Sequence, residues 1–169
     1  MSPRIIDNVL PDDQADLLEQ YFITSNEFNE WKFISFVANN NDDHKLDHFY
    51  FQHIIYKQPE GKLKIESPVL DRVNHLLHII NYKALLRAKA NLYTNVGKIV
   101  EHEPHVDYNF HHHSALYFVN TNNGYTTLAG GKKVESVKNR LLIFDGSTSH
   151  FSSTCTDQQV RVTLNFNFF

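Results

Sequence analysis

The chain has 169 residues, of which 41% are hydrophobic and 13% aromatic, and its formal net charge is −3 with all histidines neutral. This length suits one closed apolar core, so we predict a single domain over residues 1–169. The composition excludes a disordered polymer, and the near balance of charge argues against nucleic acid or an anionic membrane as the main partner.

The chain has one cysteine, Cys155, which cannot form an intramolecular disulfide. Its first residues lack the basic start and apolar run of a signal peptide, and no apolar run approaches the roughly 20 residues that cross a bilayer. We therefore expect a soluble cytoplasmic protein, with a bacterium or a phage-infected cell suggested by the small size. The oligomeric state stays open.

The N-terminal part of the chain contains a helix signal. Pro11 and the two aspartates after it suit a first turn, and the helix is expected to run to about Thr24. Leu17, Leu18 and Tyr21 are assigned to one face of this helix at helical spacing. We predict that this face contacts the core.

A second helix is predicted from Ser67 and Pro68 to Ile80, again with one apolar stripe. Most of the remaining chain is rich in aromatic and branched residues and is divided by Asn, Asp and Gly turns, which indicates β-strands. Strands are predicted at residues 4–10, 31–37, 48–56, 85–93, 114–120, 124–128, 140–145 and 160–168, with turns at 39–43, 122–124 and 130–132. This pattern predicts a mainly β (α+β) fold, a double-sheet jelly roll with the helices packed on one sheet.

The segment Glu103-Pro104-His105-Val106-Asp107 contains two side chains that bind metals. In a strand, residues two apart point to the same side about 6.6 Å apart, so His105 and Asp107 can reach one ion. By itself this pair is weak evidence, and a surface turn is the alternative. His150, after the strand predicted at 140–145, would complete a set of two imidazoles and one carboxylate. Such a set leaves coordination positions open, as in non-haem iron enzymes that activate oxygen, whereas an isolated histidine there would be structural.

The last predicted strand has one polar face, formed by Arg161, Thr163, Asn165 and Asn167. A half-exposed strand with this face in solvent is one interpretation. The other follows from charge, because ferrous iron, one aspartate and a bound dicarboxylate leave a negative excess that needs a buried partner. Arg161 can grip a carboxylate with two parallel hydrogen bonds, and the Thr163 hydroxyl can add a third.

In chain order these residues resemble the iron(II)- and 2-oxoglutarate-dependent dioxygenases, within them the prolyl-4-hydroxylase-like branch. The resemblance covers roughly residues 85–168 and includes Asn91-Leu92-Tyr93, Gly97, residues 103–107, 116–120 and 142–146, His150 and residues 161–166. It implies a cupin-like double-stranded β-helix in which His105, Asp107 and His150 hold iron and form the catalytic centre. It also implies that Arg161 binds the distal carboxylate of 2-oxoglutarate, assisted by Thr163 and Tyr93.

The activity implied by the resemblance is hydroxylation of an unactivated C–H bond, with Fe(II) as cofactor, 2-oxoglutarate and O2 as co-substrates, and ascorbate as a stimulant. The leading substrate is a peptide or protein residue such as proline, and a free amino acid or small metabolite is the alternative. Two other function classes stay open: a non-catalytic metal-binding β-barrel, and another cupin-type metalloenzyme such as a zinc or nickel isomerase or lyase. The strand that carries Arg161 and Thr163 separates them, since only a dicarboxylate co-substrate needs it.

Several neighbouring side chains have open roles. The branch commonly has a tyrosine where this chain has Phe118, and whether Tyr117 replaces it depends on strand register. Glu103 could orient the His105 ring or be an ordinary exposed acid. Residues 111–113 are interpreted as a solvated loop, with binding of a second metal or of substrate as the alternative, and His44, His48 and His53 are interpreted as structural.

Overall fold

The computed structural model describes residues 2–25, 30–37, 46–58 and 64–169. Within these residues the helices are α1 (Asp12–Glu19), which continues into a π-helical turn at Gln20–Thr24, α2 (Val69–Arg72) and α3 (Asn74–Ile80). The strands are β1 (Arg4–Ile6), β2 (Lys32–Ile34), β3 (Tyr50–Lys57), β4 (Ile65–Glu66), β5 (Leu85–Thr94), β6 (His113–Phe118), β7 (Asn122–Leu128), β8 (Lys133–Ser136), β9 (Arg140–Asp145), β10 (His150–Ser152) and β11 (Val160–Phe168). In this described part, no helix is long and apolar enough to span a membrane.

The strands form two antiparallel sheets. The larger sheet has the order β1-β9-β6-β11-β5-β3-β2, with β4 also paired to β3, and the smaller sheet has the order β10-β7-β8. The last strand, β11, pairs with β5 on one side and β6 on the other. Strands that are distant in sequence are therefore neighbours in the sheet, as in a jelly roll. The predicted mainly β jelly roll is confirmed.

Two apolar layers lie on opposite faces of the larger sheet. The larger cluster joins the helices to the sheet, with Leu76 of α3 packed in the same cluster as Val162, Leu164 and Phe166 of β11. A smaller cluster lies between the two sheets and contains Leu116, Phe118, Leu128, Val134, Leu142 and Phe144. The large sheet is thus covered on both faces, with helices on one of them as predicted.

The polar face of β11 is turned toward the smaller sheet and away from the helices. Arg161, Thr163, Asn165 and Asn167 are 0%, 2%, 4% and 0% exposed. The interpretation of β11 as a half-exposed strand with solvent on its polar face is therefore excluded. The fold buries a row of polar side chains between its sheets, and such groups need hydrogen-bond partners or a ligand.

The helices differ in detail from the prediction. Leu17 is 63% exposed, and the buried face of the first helix runs through Ala15, Leu18 and Phe22. Leu17 lies about 100° around the helix from Leu18, so it falls outside this stripe. The second predicted helix is interrupted at Val73, whose backbone angles leave the helical region, and it forms α2 and α3. The predicted apolar stripe is buried nevertheless.

The predicted turn at residues 122–124 is wrong, because this segment begins strand β7. Gly124 lies in the strand at a shift of register, and a Cβ there would lie 2.6 Å from the Cδ of Arg161 and 2.7 Å from the carbonyl oxygen of Thr154. The glycine therefore permits a close approach of Arg161. The predicted turn at 130–132 is present, with positive φ at Gly130 and Gly131, whereas the turn at 39–43 lies outside the described residues. The short strands β4, β8 and β10 were not predicted.

Candidate metal centre and adjoining cavities

His105, Asp107 and His150 form a cluster in which one ligand atom of each lies within 4.8 Å of the others. The backbones of His105 and His150 form an isolated antiparallel bridge, with reciprocal N–H···O distances of 3.0 and 2.9 Å. The sequence predicted a strand for His105 and Asp107, but the structure has this isolated bridge in place of a continuous ladder of strand hydrogen bonds. Pro104 has no N–H to donate to such a ladder. The loop is still tied to β10, which brings both imidazoles together.

Both imidazoles are oriented by main-chain carbonyl groups. The Nδ1 of His105 lies 3.3 Å from the carbonyl oxygen of Glu103, and the Nδ1 of His150 lies 2.9 Å from that of Thr148. A carbonyl oxygen only accepts, so each Nδ1 carries the proton and each Nε2 presents a lone pair. Burial, followed by the neighbouring His150, lowers the pKa of His105 to about 4. The sequence left open whether Glu103 orients the His105 ring or is an ordinary exposed acid, and the contact with the ring is made by its main-chain carbonyl group.

The Asp107 carboxylate is almost fully buried and accepts hydrogen bonds on both oxygens. Arg87 Nη2 donates to Oδ1 at 2.7 Å, while Ser114 Oγ and Asn167 Nδ2 donate to Oδ2 at 2.8 Å each. Burial alone raises the pKa of Asp107, but Arg87, then His150, holds the pKa well below its usual range. The carboxylate is therefore ionised and fixed in orientation, as a metal ligand requires.

Arg161 is a fully buried cation without a counter-charge in the part of the chain that the structure describes. Its Nε donates to Ser136 Oγ at 2.7 Å, Nη2 to Thr126 Oγ1 at 2.9 Å and Nη1 to the carbonyl oxygen of Ser153 at 3.2 Å. Burial lowers the pKa of Arg161 to about 10, so it stays protonated at neutral pH. Three of its five N–H donors are used, and two remain.

A cavity of about 30 Å³ connects this arginine to the histidine and aspartate cluster. All six predicted site residues line it: Tyr93, His105, Asp107, His150, Arg161 and Thr163. The amide oxygens of Asn91 and Asn165, which also line it, are buried without a hydrogen-bond donor. An unpaired buried oxygen is costly, so these walls suit a polar ligand or water.

A second cavity of about 230 Å³ adjoins the other side of the cluster and shares Lys89, Tyr93, His105 and Asp107 with the first. Arg87 of β5 also lines the second cavity, and neither Arg87 nor Lys89 was predicted from the sequence. Burial, followed by the charge of Arg87, lowers the pKa of Lys89 to about 7. The available signal was the alternation of Arg87, Lys89 and Asn91 with small apolar residues along β5.

Strand register decides the question of the missing tyrosine. Tyr117 is opposite Leu164 in the pairing of β6 with β11, and its side chain is in the apolar cluster under the helices. Phe118 is opposite Thr163, and its ring centre lies 5.8 Å from the guanidinium carbon of Arg161. Phe118 therefore faces Arg161, and Tyr117 does not replace the tyrosine of the prolyl-4-hydroxylase-like branch.

The histidine run at residues 111–113 is not simply a solvated loop, so that prediction is wrong for His112. This side chain is fully buried, its Nδ1 is bonded to the carbonyl oxygen of Phe110 at 2.9 Å, and its Nε2 lies 3.4 Å from Nδ2 of Asn167. The main chain at residue 146 lies so close to the His112 ring that a Cβ there would be 2.3 Å from it. This close approach requires the glycine at residue 146. His112 therefore supports the hydrogen-bond network around Asp107.

Three further histidines, His48, His53 and His102, are buried. The His53 ring is hydrogen-bonded to Ser67 Oγ at 2.8 Å, which agrees with its predicted structural role. His44 lies outside the described residues. His102 was not predicted from the sequence. It is 2% exposed and stacks on Tyr93 with ring centres 5.0 Å apart. Burial, followed by the charge of Arg161, lowers the pKa of His102 to about 3.

No family model matches the chain, and no curated protein sequence matches it. Solved structures do match it, and they show its fold, which is that of the 2-oxoglutarate–Fe(II) oxygenases. A Burkholderia pseudomallei oxidoreductase of that family matches with a TM-score of 0.63 and 11% identity, over 98% of this chain and 84% of the other.

Within this class, prolyl hydroxylases are among the structures that the chain resembles. A Trichoplax adhaerens prolyl hydroxylase, solved with a peptide fragment of the hypoxia inducible factor oxygen degradation domain, matches with a TM-score of 0.67 and 13% identity, over 99% of this chain and 83% of that one. A Pseudomonas putida prolyl-4-hydroxylase matches with a TM-score of 0.60 and 15% identity, over 98% and 91%. At such identities the likeness establishes the fold, and this agrees with the fold implied by the sequence resemblance.

Proposed function

We propose that the chain is an Fe(II)- and 2-oxoglutarate-dependent dioxygenase that hydroxylates an unactivated C–H bond. The observation that carries this proposal is the Arg161 guanidinium, which is fully buried and pairs with no carboxylate of the described residues. It lines the same cavity as the histidine and aspartate cluster. A buried cation without a partner is costly, and the distal carboxylate of 2-oxoglutarate would supply the partner.

His105, Asp107 and His150 would hold the iron. Two imidazoles with free Nε2 atoms and one ionised carboxylate form the donor set of non-haem iron oxygenases, which leaves coordination positions open. When bound, the iron would supply the oxidation by O2, in which one oxygen atom enters succinate as 2-oxoglutarate loses carbon dioxide and the other enters the substrate C–H bond. The catalytic role of these three residues is part of the proposal.

The other residues position and shield this centre. Arg87 and Asn167 keep Asp107 ionised and fixed, and main-chain carbonyls hold both imidazole rings. Arg161 would bind the distal carboxylate of 2-oxoglutarate with help from Thr163 and Tyr93, which line the same cavity. The apolar cluster between the two sheets restricts water, which strengthens the pairing between the guanidinium and the carboxylate.

The substrate is proposed to be a peptide or protein residue, as for prolyl hydroxylases, or a free amino acid or small metabolite. The first is supported by the Trichoplax structure, in which a prolyl hydroxylase of the same fold holds a peptide. The alternative classes, a non-catalytic metal-binding barrel and another cupin-type metalloenzyme, do not need a buried arginine in the cavity. Arg161 therefore favours the dioxygenase over both.

An anaerobic spectrum tests the proposal directly. Protein loaded with ferrous iron and 2-oxoglutarate should develop the weak visible charge-transfer band of a chelated keto acid. Absence of the band, together with no 2-oxoglutarate binding by calorimetry, would refute the proposal. Incubation with peptide and metabolite pools, followed by a search for products that gain one oxygen atom only when 2-oxoglutarate is present, would then identify the substrate.

A further inference from the structure

We infer that the substrate of this site carries a carboxylate, and that Lys89 binds this carboxylate in the cavity of about 230 Å³ beside the metal ligands. The inference rests on the proposed function and names the substrate class and a specificity residue. It follows from the placement of Lys89, from the charges around the cavity and from the size and lining of the cavity.

Lys89 has an interior position in the larger sheet. On β5 it is opposite Asn165 of β11 on one side and Ile54 of β3 on the other. Its Nζ lies 5.8 Å from the ring centre of Tyr50, and no described residue offers it a hydrogen bond or an ion pair. A lysine on an inner sheet face is unusual unless it is paired, and none of the described residues pairs with this one, so we assign its partner to a ligand of the cavity.

The charges around the cavity leave Lys89 without compensation. Of the described residues that line it, the acidic one is Asp107, and Arg87 already pairs with that carboxylate at 2.7 Å. Loading the centre does not change this balance, because the two charges of ferrous iron are cancelled by the two carboxylates of 2-oxoglutarate. The loaded site therefore keeps an excess of positive charge, to which Lys89 contributes. An anionic substrate would be attracted into the cavity and would remove part of this excess.

Lys89 and Arg161 differ in the cavities that they line. Both line the smaller cavity, where Arg161 binds Ser136, Thr126 and Ser153 on the side of the smaller sheet, but Lys89 also lines the larger cavity and Arg161 does not. A lysine acts as a point charge and suits a single carboxylate. We therefore assign Arg161 to the co-substrate and Lys89 to the substrate.

The cavity limits the size of the group that it receives. A volume of about 230 Å³ is below the usual range for drug-sized ligands and suits a group about as large as one amino acid. Tyr50, Phe36 and Val37 offer apolar contacts for the carbon frame of such a group. A carboxylate of this size has two sources, a free acid such as an amino acid, or an acidic side chain within a peptide.

The test uses protein loaded with Ni(II), which holds the metal position without turnover, and with 2-oxoglutarate. Four probe pools are compared by thermal shift and calorimetry: free L-amino acids, the same amino acids as carboxamides, peptides containing Asp or Glu with amidated ends, and their Asn or Gln counterparts. We expect stabilisation by at least one acid pool and none by its amide counterpart. Binding by the first pool alone indicates a free acid, and binding by the third indicates an acidic peptide.

Three variants assign the effect to Lys89. Lys89→Met should weaken the binding acids roughly 10- to 100-fold, because one charge-assisted hydrogen bond is lost, while 2-oxoglutarate affinity stays within about threefold. Lys89→Arg keeps the charge and should retain most of the affinity. The matched control is Lys133→Met, because Lys133 is exposed and its Nζ lies 4.0 Å from the ring centre of Tyr125. This variant should change neither the affinity for the acids nor that for 2-oxoglutarate.

The possible failures are distinct. Equal binding of acids and amides, binding of neither, or an unchanged acid affinity in Lys89→Met would overturn the carboxylate assignment. A loss of 2-oxoglutarate affinity in Lys89→Met as large as that in an Arg161 variant would reassign the lysine to the co-substrate. Failure of the proposed function has another signature, since the unmodified protein would then bind no 2-oxoglutarate at all.

Discussion

Replacing Arg161 by methionine should remove 2-oxoglutarate binding while the metal ligands keep their positions. The guanidinium has two N–H donors left after its bonds to Ser136, Thr126 and Ser153. A hydrogen bond between charged groups contributes about 1.5–3 kcal/mol, so losing two of them costs roughly 3–6 kcal/mol of binding free energy. This corresponds to 2-oxoglutarate affinity lower by roughly 10²- to 10⁴-fold.

The same change has opposing effects on the stability of the free protein. The three groups that accept from Arg161 lose their donor, at about 1–3 kcal/mol for each group left unpaired. Removal of an uncompensated buried cation is favourable by several kcal/mol, and methionine fills a similar volume. We therefore expect Arg161→Met to fold, which urea unfolding of the metal-free variant checks.

The assay is calorimetric titration of 2-oxoglutarate into Ni(II)-loaded protein, with Ni(II) affinity measured separately. Arg140→Met is the matched control, because Arg140 binds Asp7 at 2.6 Å near the surface, away from both cavities. It should leave both affinities unchanged. Unaltered 2-oxoglutarate binding in Arg161→Met, or equal losses of metal and 2-oxoglutarate, would refute the reasoning and assign the arginine to the fold.

Three further predictions concern the support of the site. Gly124→Ala should cost about 1–3 kcal/mol of unfolding free energy and weaken 2-oxoglutarate binding, because the added Cβ would lie 2.6 Å from Arg161 Cδ. The control is Gly130→Ala, in which the added Cβ meets nothing within 4 Å. This control should leave the 2-oxoglutarate affinity measured by calorimetry intact. Arg87→Met should lower metal affinity roughly 10- to 100-fold by releasing Asp107, and an unchanged value in metal titration would contradict this role. Burial lowers the pKa of His102 to about 3 in the folded state, against about 6.5 for an ordinary histidine, so between these values the unfolded state binds the extra proton and stability falls as pH falls. Urea unfolding of metal-free His102→Phe between pH 6 and 4 should therefore show a pH slope shallower by about 1.4 kcal/mol per unit, and equal slopes would count against a neutral buried His102.

The order of residues along the chain was sufficient to predict six of the residues that line the smaller cavity. His105 and Asp107 are close in sequence, and Arg161 and Thr163 lie two apart on one strand, so local geometry places each pair on one side. His150 follows a strongly apolar strand whose end is easy to recognise. Patterns of this kind depend on spacing within one segment, and a sequence displays them directly.

The support of Asp107 could not be predicted in the same way. Arg87 precedes Asp107 by 20 residues and Asn167 follows it by 60, and both reach the carboxylate because β11 pairs with β5 and β6 in one particular register. A shift of one residue would exchange the two faces of β11, taking Arg161 out of the cavity and Asn167 away from Asp107. Register between distant strands is a property of their packing, which local spacing does not reveal.

The sequence by itself determined the β-rich jelly roll, the two-residue alternation of β11 and the types of side chain that could hold a metal and a dicarboxylate. Only the tertiary structure decided that the polar face of β11 is buried between two sheets, that Phe118 and not Tyr117 faces Arg161, and that Lys89 reaches a second cavity. The reason is physical: a period of two residues states which side chains share a face of a strand. Whether that face meets solvent, an apolar layer or a cavity depends on the elements that pack against it.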